Sequence, residues 1–110
     1  MSEVTNLILS FSSHEDQKSR LSEINLFQNN GREFEIVSAD YERDPNKPNE
    51  EVWYGGSKYL ETPLFIGAIN HLDMEGLLEH LKDVYWEEPE NVQLIVKEPN
   101  THKFRIIELT

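Results

Sequence analysis

Cysteine is missing from all 110 residues. Its absence excludes disulfides, thiolate metal ligands, a thiol nucleophile and a redox pair, and with them the usual staple of small secreted domains. Positive charge is scarce as well. Ten Lys and Arg stand against 21 Asp and Glu, and the resulting formal charge of −11 repels phosphate backbones and anionic lipid surfaces. Neither nucleic acid nor a membrane surface is an expected partner. No apolar run approaches the ~20 residues that a membrane span needs, and Met1-Ser2-Glu3 is not the basic and then apolar start of a secretory leader. A cytoplasmic protein is the expectation.

What is present suffices for a core. Hydrophobic residues make up 37% of the chain and fall in clusters around Leu7 and Leu9, Leu64 and Ile66, and Leu94 and Val96. Dividing a chain of this length would leave two pieces too small to bury adequate apolar surface, so residues 1 to 110 are read as one domain.

Residues 4 to 11 alternate, with Leu7, Leu9 and Phe11 on one face and Val4 and Ile8 on the other, which suits a strand. Ser12-Ser13-His14-Glu15 matches the Ser-x-x-Glu capping box and predicts a helix from about residue 13 that buries Leu21, Ile24 and Phe27 and ends at Asn29-Asn30-Gly31. Phe34, Ile36 and Val37 predict a short strand, and the polar, proline-containing residues 40 to 50 a loop. Val52-Trp53-Tyr54 and Tyr59-Leu60 flank Gly55-Gly56 in the manner of a small hairpin. Residues 63 to 70 form a continuous apolar run, expected to be a strand covered on both faces. Asp73 then caps a helix over residues 73 to 85, with Met74, Leu77, Leu78, Leu81 and Tyr85 as its core stripe. Residues 91 to 97 and 103 to 109 read as strands of an antiparallel hairpin.

The predicted class is α+β: a single mixed sheet with two helices on one face, in the order β-α-β, small hairpin, β-α-β-β. It resembles a ferredoxin-like split β-α-β arrangement with an added C-terminal strand. A mostly parallel sheet is the alternative.

Candidate chemistry is sparse. His71 and Asp73 sit at a predicted strand end, and His80 lies near Glu79 and Asp83, yet none has metal-ligand spacing, and His14 and His102 fall in predicted polar turns. Gly55-Gly56-Ser57-Lys58 lacks the first glycine and the preceding buried strand of a phosphate-binding loop. No serine sits in a Gly-x-Ser-x-Gly elbow, and the paired carboxylates Glu50-Glu51 and Glu87-Glu88 have no evident cause for divergent pKa values. No catalytic residue, metal or cofactor is assigned.

Acid is unevenly placed. Residues 73 to 90 carry Asp73, Glu75, Glu79, Asp83, Glu87, Glu88 and Glu90 against Lys82 alone. On a helix Glu75, Glu79 and Asp83 stand one above another, an arrangement that costs about 0.2 to 0.5 kcal/mol per like-charged pair. A solvated face of an acidic protein accounts for it as readily as a binding role. Trp53 and Tyr54 beside the Gly-Gly loop and Trp86 at the helix end are candidate aromatic anchors. The leading expectation is a protein-binding module, an inhibitor, immunity-type or regulatory protein, that meets a basic partner through Trp53, Tyr54, Glu75, Glu79, Asp83, Trp86, Glu87 and Glu88. The alternative is a small-molecule or catalytic domain using the loop from Trp53 to Lys58 with His71 and Asp73.

Overall fold

A computed structural model describes residues 3–39, 54–55, 58–59 and 62–110. The alternating apolar residues near the start of the chain form strand β1 (Val4–Ser10), which buries Thr5, Leu7 and Leu9 on one face as a period of two dictates. Helix α1 (Gln17–Ile24) and strand β2 (Val37–Ser38) follow, then a hairpin of β3 (Tyr54–Gly55) and β4 (Lys58–Tyr59). Strand β5 (Leu64–Asn70), helix α2 (Met74–Asp83), a 3-10 turn (Pro89–Asn91), β6 (Gln93–Lys97) and β7 (Arg105–Glu108) complete the order.

The main sheet runs β2-β5-β1-β6-β7, and every neighbouring pair is antiparallel. Helix α1 joins β1 to β2 and helix α2 joins β5 to β6. In each case the two strands run parallel to one another with one antiparallel strand between them. These are two interleaved split β-α-β units with β7 added at the edge. The parallel relations implied by the β-α-β pattern therefore skip one strand, and the sheet is antiparallel rather than mixed.

Register explains the core. Leu9 lies opposite Phe65 and Leu94, and Leu7 opposite Gly67 and Val96, so one face of β1, β5 and β6 is continuous apolar surface. Ile24 of α1 and Leu77 and Leu81 of α2 join the same cluster, which puts both helices on this face. Gly67 is required there: a Cβ would stand 2.8 Å from Ile36 Cγ2. Burying each large aliphatic or aromatic side chain contributes about 1.5 to 3 kcal/mol.

Helix α1 differs from expectation. It starts at Gln17 with Asp16 as N-cap, whose carboxylate accepts from the Ser19 N–H (3.4 Å) and hydroxyl (3.0 Å). The capping box at Ser12 and Glu15 is not formed, because Glu15 is buried in another role. The helix ends after Ile24, and Phe27 reaches the core from the chain beyond it. Asn29-Asn30-Gly31-Arg32 is a separate tight turn closed by reciprocal backbone hydrogen bonds of 2.9 and 3.0 Å. Its central residues have φ of 53° and 79°, the positive values a type I′ turn needs.

Phe34 and Ile36 are buried just before β2, and Asn25 holds Ile36 by accepting from its N–H (2.9 Å) and donating to its carbonyl (3.1 Å). Strand β5 is not covered on both faces: Leu64 and Ile66 are only partly buried and Ala68 is exposed. The hairpin around the glycines is present, with Tyr54 opposite Tyr59 and Gly55 opposite Lys58. Val52, Trp53 and Leu60 lie outside the described residues. Strands β6 and β7 form the expected antiparallel hairpin. Among the described residues no helix is long and apolar enough to cross a membrane.

Candidate functional site

The acidic segment is built on α2, the helix with the clearest apolar period. Leu77 and Leu81 are fully buried and Leu78 partly so, which turns Glu75, Glu79 and Asp83 to solvent. None of these three acids forms an ion pair within the described residues. Glu75 lies in the first turn, where the helix dipole favours an anion, while Asp83 lies in the last turn, where it is opposed.

Both ends of α2 are fastened. At the start, the Asp73 carboxylate accepts from the Gly76 N–H (3.1 Å), and the buried side chain of Asn29 accepts from the Asp73 N–H (2.7 Å) while donating to the His71 carbonyl (3.2 Å). On its flank, the half-buried ring of His80 donates from Nε2 to the Glu23 carbonyl (2.8 Å) and packs against Phe27. Among the described residues no three His, Asp or Glu side chains are grouped to hold a metal ion.

Beyond α2 the chain is clasped by Glu15. Its buried carboxylate accepts from the N–H of Glu87 (3.0 Å) and of Glu88 (2.9 Å), and Arg20 Nε donates to the same group (3.0 Å). Burial works against the charged form, but these donors outweigh it and hold the Glu15 carboxyl below its ordinary pKa. The Arg20 guanidinium lies 5.0 Å from the centre of the Tyr85 ring. His14 pairs with Glu88; this hydrogen bond raises the imidazole pKa and lowers that of the carboxyl.

Trp86 and Tyr85 exchange their expected places. Trp86 is 8% exposed, its Nε1 donates to the Leu81 carbonyl (2.9 Å), and its ring lies against Phe11. A side chain so enclosed offers little to a partner. Tyr85, assigned to the core stripe by its spacing, is 65% exposed. The helix ends at Asp83 and Val84 is extended, so helical spacing no longer decides which side a residue faces. Glu87 and Glu90 are exposed, and Glu88 is partly buried and engaged with His14 and Asn91.

The structure thus gathers Glu75, Glu79 and Asp83 on one helix, with Tyr85 and Glu87 on the clasped segment after it. Trp53 is outside the described residues, and for Tyr54 only its backbone pairing in β3 is described. The clasp itself left no trace in the sequence: Glu15 and Arg20 are five apart, which is no helical pair, and the groups they hold at Glu87 and Glu88 are backbone.

His71 and Asp73 do not form an acid-base pair. The Asp73 carboxylate is used as the cap, and His71, in the left-handed region at φ 53°, has Glu3 as its nearest carboxylate at 3.5 Å. His71 lines two open depressions of about 340 and 320 Å³, one with Asn29, Asn30 and Arg32, the other with Glu3, Thr5 and Arg105. Arg105 is itself bound to Glu98. Comparison with protein-family models, curated proteins and solved structures found no match for this chain.

Proposed function

We propose that this protein is a binding module that engages a basic protein partner through the acidic face of α2, acting as an inhibitor, immunity-type or regulatory protein. The observation that carries the reading is the exposure of Glu75, Glu79 and Asp83, without ion pairs among the described residues, on a helix anchored by Leu77, Leu81 and its cap. A rigid element bearing uncompensated charge of one sign steers an oppositely charged protein and gains little for the folded chain itself. Tyr85 supplies an exposed aromatic within two residues of the helix end, the residue type that interface hot spots favour. If the partner binds nucleic acid, the acidic face competes for the same cationic groove.

The test is affinity capture from native lysate at low and high salt, using the wild-type chain and a Glu75→Gln, Glu79→Gln, Asp83→Gln variant. A basic protein retained by the wild type at low salt, and lost both with the variant and with salt, is the expected result. Recovery of the same proteins by both chains, or of none specific to the wild type, contradicts the proposal.

A further inference from the structure

The sheet has a second face, turned away from both helices. The strand register places Val37, Ile66, Ile8, Ile95 and Ile106 in a single row across all five strands, one β-branched aliphatic from each. None of the five belongs to the core cluster or packs against it. At the two ends of the row Val37 is 48% and Ile106 61% exposed. Among the strand positions of this face only Lys97 and Glu108 are charged, and they cancel, although the chain as a whole carries −11.

We infer that this face is the contact between two copies of the chain, which pack sheet against sheet about a two-fold axis lying along the aliphatic row. The area is that of a weak, concentration-dependent contact. Three outward rows, filled at twelve of their fifteen positions, span roughly 24 by 20 Å, somewhat under about 1,000 Å² over two copies and so at the low end of specific interfaces. Charge selects the surface, since two copies repel wherever acids face one another and the described strand positions of this face carry no net charge. The remaining charges are complementary under the proposed axis. Lys97 lies one row to one side of the aliphatic row and Glu108 one row to the other, so rotation about the row carries Lys97 of one copy over the side that holds Glu108 of its mate. Within one copy the two are too far apart to pair, two rows or about 13 Å along the strands. The helix layers, and both acidic faces, then point outward on opposite sides of the dimer.

Sedimentation velocity over a micromolar concentration series tests this. The dimer fraction should rise with concentration and also with added salt, because salt screens the repulsion between two chains of −11 while leaving apolar contact intact. Val37→Glu and Ile106→Glu each alter an exposed position, so their far-UV dichroism should be unchanged, and each counts twice in a symmetric contact. Each should weaken the dimer at least about tenfold, as burial of an unpaired charge requires. Val37→Lys and Ile106→Lys should do the same although they reduce the net negative charge. Lys97→Glu and Glu108→Lys should each weaken association, and the two together should restore part of it. A monomer at every concentration and salt, whether this face is bare or covered by another part of the chain or by another protein, overturns the inference. So does a dimer that survives Val37→Glu.

Discussion

Glu15 carries more of the architecture than any exposed acid does. Its carboxylate holds two backbone N–H groups of the segment after α2 and the Arg20 side chain, and the Glu15 and Arg20 side chains are both buried. Removing one partner of a buried pair strands the other, so Glu15→Ala should cost about 3 to 5 kcal/mol in denaturant unfolding. Because the folded-state pKa of Glu15 is depressed, its contribution is present above the unfolded value of about 4.3 and is lost as pH falls through the lower folded value. Acid sensitivity in that range should be blunted in the alanine variant, and unfolding curves against pH check it. His14 has the opposite sign: its raised pKa makes its contribution full below about 6.5 and lost as pH climbs through the folded value. An NMR titration should find the His14 ring ionising above the ordinary histidine value, and Glu88→Gln should move it back down. None of this was legible in the residues. Ser12 and Glu15 have the spacing of a capping box, yet the Asp16 carboxylate caps the true helix start and Glu15 is drawn inward by Arg20 and by backbone donors distant in sequence.

Helix α2 shows where a sequence suffices. A cap at Asp73 and apolar positions three and four apart agree on one face, and the structure buries that face at Leu77 and Leu81. Leu77→Ala should cost about 2 to 5 kcal/mol. The Glu75→Gln, Glu79→Gln, Asp83→Gln variant should instead be slightly more stable, by a few tenths of a kcal/mol per relieved pair, as thermal or chemical unfolding at low salt will register. A more stable helix that has lost its binding would mark the acids as kept for recognition. Leu78, on the same stripe, is only partly buried, and past Asp83 the backbone leaves the helix and Tyr85 and Trp86 change sides. Elements held by tertiary contacts were harder to bound. Strand β2 is two residues long, and Phe34 and Ile36, whose apolar alternation suggested strand, are instead fixed by Asn25 and the core.

On the scale of the whole molecule the protein has two unlike sides. Two helices, α2 bearing the unpaired acids, cover one face of the sheet, and among the described strand positions the other is aliphatic with only Lys97 and Glu108 charged. The class and the element order were visible in the hydrophobic pattern, but strand order was not, since local periodicity carries no information on which strands pair across the chain. Strand order is also what turns five separate aliphatic residues into one row. The acidic cluster was legible as composition, whereas the exposure of Glu75, Glu79 and Asp83 and their lack of ion pairs among the described residues required the structure. The central claim, that the acids of α2 steer a basic partner, is tested most directly by the association rate against ionic strength, using the protein that affinity capture returns. The rate for the wild type should fall steeply as salt shortens the Debye length toward ~8 Å, and that for the glutamine variant should be slower at low salt and nearly flat. Equal slopes for the two chains would contradict the account.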